Sequence, residues 1–307
     1  MKLLVIPKCP VCQYDKFVFL FKKNKYMLKK CTQCSFVFVN PRPSEKDLLL
    51  HYNENFFRGE IRLPGRCTKN YFEGISSYTG RSKKLLSNLN KYKNSGRLLD
   101  IGCGLGYLIE QAQMEGWKAM GLEISDFAIS ICKKKGLNVR KGQIGEIEIP
   151  KNHFDVVIAQ DVLEHVFDPE KFLDNINKVM KNSGLLILEL PNNSSIRSYL
   201  GGKKWAEYIP PVHLNFFDKT TLRKILGNHG FKVITIYSET SLTLGLRERL
   251  RKLNKDGTKP LNIFVTRIDE LITSFKKNIF YPPLNYISKT VDIHGDLLIA
   301  YVTKKDL

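Results

Sequence analysis

Two C-x-x-C pairs lie close to the N-terminus, Cys9 and Cys12 in CPVC and Cys31 and Cys34 in CTQC, with 18 residues between them. Thiolates at that spacing suit a tetrahedral structural zinc site, each pair sitting on its own turn. The rival chemistry, a thioredoxin-like redox pair, needs a single C-x-x-C opening a helix inside a βαβ unit, and neither pair has that setting. The expectation is therefore structural Zn2+ held by Cys9, Cys12, Cys31 and Cys34, supplying folding energy to a small module. The chain has 7 cysteines, an odd number that fits metal binding in a reducing compartment better than a disulfide framework. Cys67, Cys103 and Cys132 read as ordinary small residues.

A second stretch, LLDIGCGLGYL over residues 98 to 108, places Gly102, Gly104 and Gly106 at every second position behind Asp100. A dinucleotide fingerprint would put its last glycine where Tyr107 stands. The carboxylate of Asp100 suits a cationic amine far better than a pyrophosphate. S-adenosylmethionine offers such a group, the α-ammonium of its methionyl part, beside a sulfonium. Glu123, 23 residues after Asp100, is placed to accept hydrogen bonds from ribose hydroxyls.

These residues need a frame that brings strand ends together. From residue 97 short apolar runs alternate with helical patterns: RLLDI, WKAMGLEI, LNVRKGQ, FDVVIAQ, GLLILEL, FKVITIYS and GDLLIAYVTKK read as strands. The alternation predicts an α/β fold, a Rossmann-like doubly wound, mostly parallel sheet with an antiparallel last strand, beside a small zinc-ribbon head. The expected organisation is a zinc-binding ribbon over 1 to 45 and a helical lead-in over 46 to 96. The core then spans 97 to 238 and 296 to 307, with a helical insert over 239 to 295. SEKD, residues 44 to 47, reads as a capped helix start, and residues 70 to 93 carry a helical pattern with Ile75, Tyr78, Leu85, Leu86 and Leu89 apolar.

With LLDIGCGLGYL, GLEIS, FDVVIAQDVLEHVFDP, GLLILELPN and HLNFFDKTTLRKILGNHGF, the sequence resembles the class I S-adenosylmethionine-dependent methyltransferases over roughly residues 70 to 240 and the last strand. With CPVC, CTQC and NPRP it also looks like a zinc-headed subgroup associated with sugars, polysaccharide precursors and other small metabolites. The resemblance implies that Gly102, Gly104 and Gly106 line the cofactor, Asp100 holds its amino-acid end and Glu123 its ribose. It places Gln143 near the adenine amino group, where the family often has an acid, and Gln160 and Asp161 near the methionyl part. Arg81 would close over the cofactor's carboxylate.

Methyl transfer to a hydroxyl or acidified carbon also needs a base. His165, beyond the fourth core strand, and His213, in the proline-bounded loop IPPVHLNFF, are the candidates. The related sugar C-methyltransferases carry a Glu-His pair where this chain has Val212 and His213, which turns the expectation from carbon toward oxygen.

The formal net charge of +19 points to anionic partners, an anionic membrane surface, or a well-solvated lysine-rich exterior. Basic and acidic residues are interspersed, which favours the last. No apolar run suits a signal peptide or a membrane span, so a cytoplasmic protein is expected. In the insert, Phe264, Ile268, Leu271, Ile272, Phe275 and Ile279 share one helical face, predicting a lid, a homodimer contact or a peripheral membrane element. The leading function is methylation of a small-molecule or sugar-containing acceptor. The alternatives are RNA methylation, disfavoured because AQDVLEH lacks the D/N-P-P-Y signature, and a non-catalytic cofactor-binding regulator.

Overall fold

A computed structural model describes residues 3 to 63, 66 to 67, 70 to 239 and 295 to 305. The amphipathic helix expected over 262 to 280 lies outside the described residues, and so does nearly all of the insert. The head comprises β1 (Leu3–Leu4), β2 (Phe17–Lys23), β3 (Tyr26–Cys31), β4 (Val37–Val39) and β5 (Arg42–Pro43). The lead-in follows as α1 (Glu45–Leu49), α2 (Glu54–Arg58), a ribbon of β6 (Arg62–Leu63) and β7 (Arg66–Cys67), and α3 (Ile75–Leu89). The core runs through β8 (Arg97–Ile101), α4 (Tyr107–Met114), β9 (Lys118–Glu123), α5 (Asp126–Lys134), β10 (Val139–Lys141), β11 (Phe154–Gln160), α6 (Pro169–Val179) and β12 (Met180–Pro191). It ends with α7 (Ile196–Gly201), β13 (Asn215–Phe216), α8 (Lys219–Asn228), β14 (Phe231–Glu239) and β15 (Leu297–Lys304).

The main sheet has 7 strands in the order β10-β9-β8-β11-β12-β15-β14. Pairings from β10 to β12 are parallel, and β15 runs antiparallel to both of its neighbours. Strand order reverses between β8 and β11, which opens a crevice beyond their carboxyl ends. The central strands are apolar on both faces because both are covered. Leu99, Ile101, Val157, Ala159, Leu186 and Leu188 join one buried cluster, while the alternate residues Leu98, Val156, Ile158, Leu185 and Ile187 join the other.

Helix ends follow local chemistry. The Ser44 side chain caps α1 by accepting from the Asp47 amide, as SEKD suggests, and Asp218 and Thr221 form a reciprocal capping box on α8. In α3 the buried stripe is Ser82, Leu85, Leu86 and Leu89, whereas Ile75, in the first turn, is 49 % exposed.

The head is not a separate bead. Its sheet has the order β13-β4-β3-β2, so a core segment supplies the edge strand, and Cys9, Val11, Cys31, Phe36 and Phe38 share the buried cluster of the main sheet. Asn24 and Lys25 turn the β2-β3 hairpin at φ 49° and 61°, the left-handed pair a two-residue hairpin favours. Arg42, 0 % exposed, fastens head to core: Nε donates to the Val39 carbonyl and Nη1 to the Phe167 carbonyl at 2.9 Å, over the rings of Phe38 and Phe167. Burial pulls its guanidinium down to about 10, opposed by the charge of Asp168. Arg42→Ala strips these carbonyls of donors and leaves a cavity, so denaturant unfolding should show a loss of about 3 kcal/mol; a loss below about 0.5 kcal/mol contradicts that anchoring role.

Candidate functional site

The four head cysteines converge. The sulfurs of Cys9, Cys12, Cys31 and Cys34 all lie within 4.8 Å of one another, and the Cys9–Cys34 and Cys12–Cys31 separations are each 3.5 Å. Four thiolates about 2.3 Å from a tetrahedral zinc would stand about 3.8 Å apart, so the set fits structural Zn2+. Both turns have one shape: Gln13 and Ser35, each one residue past its C-x-x-C, have φ of 62° and 65° and donate to the carbonyls of Cys9 and Cys31.

Beyond the carboxyl ends of β8 and β11 lies a cavity of about 510 Å³. Its floor is the turn after β8. Gly102 (φ 70°) is pressed against the following core segment: a Cβ there would sit 2.7 Å from Val162 Cγ2. A Cβ on Gly104 (φ 52°) would meet nothing nearer than 3.8 Å, so this glycine leaves its surface open to a ligand. Gly106 is absent from the lining: it begins α4 and faces Leu137 and Cys132, which gives it a packing position.

Asp100, one residue before the end of β8, lies in the cavity wall at 4 % exposure, and among the described residues no donor hydrogen-bonds its carboxylate. Burial pushes its pKa up to about 8, the charge of Glu123 adding to the effect and Arg81 opposing it. Glu123 is held differently. Its Oε2 accepts from the Gly104 amide at 2.9 Å and its Oε1 from the amides of Ile124 and Ser125 at 2.8 and 2.9 Å. Burial raises its pKa and these three amides counter the rise. The wall thus holds one carboxylate fixed by the backbone and one that lacks a donor.

Arg81 reaches the cavity from α3, tied at both ends. It forms a bidentate pair with Asp161 and donates from Nε to Glu189 Oε2 at 2.8 Å. Burial disfavours its charge, but Asp161 and Glu189 outweigh that and hold its pKa well above the ordinary value. Gln160 Nε2 donates to the same Glu189 oxygen at 2.5 Å. Glu189 is the residue the motif reading passed over. Its signal was an acid inside the apolar run GLLILEL, which a two-face-buried strand tolerates only with a partner. Gln143 lines the opposite end, its Nε2 donating to Glu45 and Glu146 at 3.1 and 3.2 Å, which leaves its carbonyl oxygen as acceptor. Ile124 and Ile144 add apolar wall there, and Tyr52, Phe57 and Tyr71 close the lead-in side.

His165 lines the cavity; His213, 5 % exposed, is absent from the lining and stands behind it, the two rings edge-on at 4.6 Å. His165 Nδ1 lies 2.9 Å from the Val212 carbonyl and 3.0 Å from the Tyr52 hydroxyl. His229 stands at the C-terminal end of α8 and meets Asp174 at 2.7 Å.

A parallel sheet with an antiparallel penultimate strand, a glycine turn after its first strand and an acid ending its second is the class I S-adenosylmethionine-dependent methyltransferase architecture. A family model described as a methyltransferase domain matches residues 76 to 236, more than half of the sequence, and the chain belongs to that family. A probable S-adenosylmethionine-dependent methyltransferase of Mycolicibacterium smegmatis is 23 % identical over 178 residues, covering 57 % of this chain and 65 % of that protein. A ubiquinone biosynthesis O-methyltransferase of Rhodopseudomonas palustris is 32 % identical over 154 residues, covering 47 % of this chain and 60 % of that protein. The chain therefore spans less than two thirds of these relatives' own length. Among solved structures, a SAM-dependent methyltransferase from Archaeoglobus fulgidus aligns with a TM-score of 0.50 at 24 % identity, covering 77 % of this chain and 100 % of that one. Phosphoethanolamine N-methyltransferase 2 of Haemonchus contortus, in complex with S-adenosylmethionine, aligns with a TM-score of 0.50 at 19 % identity, covering 88 % and 63 %. These two likenesses are of fold. Among the described residues no helix is long and apolar enough to cross a membrane.

Proposed function

We propose that the chain moves a methyl group from S-adenosylmethionine to a hydroxyl oxygen of a small metabolite, a sugar or polysaccharide precursor being the preferred class. The observation that carries this reading is the buried Asp100 carboxylate, which has no donor among the described residues, set beside Glu123 at the mouth of the Gly102–Gly104 turn. An α-ammonium supplies the donors Asp100 lacks, ribose hydroxyls reach Glu123, and the adenine lies along Ile124 and Ile144 with its amino group at Gln143. Arg81, fixed by Asp161 and Glu189, shapes the methionyl end together with Gln160. The head over 1 to 45 and lead-in over 46 to 96 roof a core of 97 to 238 and 296 to 307.

The donor brings an electrophilic methyl on a positively charged sulfur. In the transfer the methyl–sulfur bond breaks as the oxygen–methyl bond forms, the acceptor loses its proton, and S-adenosylhomocysteine leaves. The protein's part is to align the acceptor, exclude water and ease proton loss. His165, which lines the cavity, is the candidate for the last task, with His213 in ring contact behind it. The relatives named as O-methyltransferases support oxygen as acceptor atom.

Incubation with methyl-labelled S-adenosylmethionine and a panel of sugar nucleotides, lipid-linked sugars, dihydroxylated aromatics and bulk RNA tests the reading. Label in a small hydroxylated acceptor is expected, and label in RNA alone overturns the substrate class. His165→Ala should lower turnover by about 10²- to 10⁴-fold with cofactor affinity unchanged within about twofold. Unchanged turnover removes His165 from the acceptor end.

A further inference from the structure

The end of the main sheet opposite the cavity carries a row of cations. Arg97 opens β8 and is paired in register with Lys118, which opens β9. Lys178 stands in the last turn of α6, which leads straight into β12; Lys232 is the second residue of β14, and Lys304 closes the antiparallel β15. All five therefore sit at the amino ends of the parallel strands, whereas Asp100 and Glu123 sit at or near the carboxyl ends. From β9 to β14 the row crosses 6 strands, about 24 Å at about 4.8 Å per strand.

Elsewhere Arg58, Lys84, Lys135, Lys141 and Arg197 each meet a carboxylate. Among the described residues none of Arg97, Lys118, Lys178, Lys232 and Lys304 does. The acid beside the row, Asp155, is taken: it accepts from the Arg97 amide at 2.9 Å and pairs with Lys181 at 2.7 Å. Lys304 Nζ and Arg97 Nη1 reach only neutral groups, Asn152 Oδ1 at 3.0 Å and His153 Nδ1 at 3.4 Å. Burial first, then the charges of Arg97, Lys181 and Arg140, hold the His153 pKa below its ordinary value, the mark of a positive local field. Like charges set opposite each other on neighbouring strands cost stability, and an anion laid along them removes that cost.

An aromatic ring is set among these charges. Just past α3, Lys91, Tyr92 and Lys93 follow one another, and Lys93 adds to the positive charge around Asp155. Tyr92 is 44 % exposed, its ring stacked on that of Tyr301 at 5.0 Å. Cations interleaved with an exposed stacking surface suit a nucleic-acid strand, whose phosphates meet the charges and whose bases meet the ring. A lipid surface asks instead for a group of exposed apolar side chains beside the charges. Groups of that kind stand elsewhere, Val18, Phe19 and Leu20 on β2 and Ile196, Tyr199 and Leu200 on α7. We propose that Tyr92, Arg97, Lys118, Lys178, Lys232 and Lys304 dock a single-stranded nucleic acid on the pole of the sheet that faces away from the cavity. The strand bound there is a docking partner and not the methyl acceptor, because the cavity lies at the other end of the sheet.

The test is fluorescence anisotropy of a labelled oligouridylate of about 12 nucleotides titrated with the zinc-loaded full chain between about 50 and 200 mM salt. Binding is expected, with log affinity falling against log salt at a slope of about −3, the value for about four neutralised phosphates on a single strand. Lys118→Glu, Lys178→Glu and Lys232→Glu together should weaken binding at least about tenfold. Lys16→Glu, Lys22→Glu and Lys25→Glu, the same change of net charge on the exposed head, should weaken it less than about threefold, since screening confines each charge to its surroundings. Tyr92→Ala should cost about fivefold or more, a loss that net charge does not explain. No salt-dependent binding, equal losses from the two triple variants, unchanged affinity in Tyr92→Ala, or uptake by phosphatidylglycerol vesicles without uptake of the oligouridylate each overturns the proposal. If the oligouridylate binds as described and S-adenosylmethionine does not, the methyltransferase reading falls and this surface stands.

Discussion

Asp100→Asn should weaken S-adenosylmethionine binding by about 10- to 100-fold, the worth of one charge-assisted hydrogen bond of about 1.5–3 kcal/mol. The asparagine keeps the shape and loses the charge that meets the ammonium. The effect carries a pH signature. Asp100 sits at about 8 in the ligand-free protein, so below that value it is protonated and must release a proton to grip the ammonium. Affinity of the unsubstituted chain therefore rises with pH toward about 8, where the ligand's own amine, near 7.7–8.0 when free, begins to lose its charge. The variant should lack the rise. Calorimetry in two buffers of different ionisation enthalpy reads the released proton directly.

The same substitution should stabilise the fold at alkaline pH. A carboxyl whose pKa is higher in the folded than in the unfolded state contributes stability at low pH, and that contribution is lost as pH rises through the folded value, here about 8. At pH 8 to 9 the unsubstituted chain carries a buried charge that the variant lacks. Asp100→Asn should then melt several degrees higher, at about 2–4 °C per kcal/mol, as expected where a binding site holds a group at the expense of stability. Equal melting temperatures at pH 9 would show that Asp100 is not desolvated as described.

The second large effect is expected at the head. Cys31→Ser should remove the bound zinc and unfold residues 9 to 39, because small metal-held modules draw most of their folding free energy from the ion. Damage should not stop there. β13 pairs with β4, and the same segment leads from His213, so the acceptor side loses its support while the glycine turn and Glu123 stand on the far strands. Turnover should fall by about tenfold or more, with cofactor affinity changed by less than about threefold, the drop expected when positioning groups loosen. Elemental analysis, amide hydrogen exchange and calorimetry measure the three parts. Full zinc content in the variant, or intact exchange protection over residues 9 to 39, contradicts the account.

The parts of this protein that depend on near neighbours were legible in its sequence. CPVC and CTQC set the cysteine turns, the spacing of Gly102 and Gly104 behind Asp100 set the glycine turn after β8, and alternating apolar runs set the order of strands. What depends on contacts between distant positions was not. The Arg81 link to Asp161 and Glu189 joins α3 to the ends of β11 and β12, and no local pattern announces it. Tyr52, Phe57 and Tyr71 enter the cavity wall only because the lead-in folds over the sheet. Gly106 shares the spacing of its neighbours but turns toward Leu137 and Cys132, since one residue further along the turn the chain has already begun α4. His213 reads as a loop residue, yet its loop is drawn inward by β13, which buries the ring behind His165.

Titration of the purified chain with S-adenosylmethionine, and in parallel with NAD and ATP, tests the central claim most directly. One S-adenosylmethionine per chain should bind, lost on Glu123→Ala, with no measurable uptake of NAD or ATP. Tight binding of NAD or ATP by a chain indifferent to S-adenosylmethionine would contradict the account.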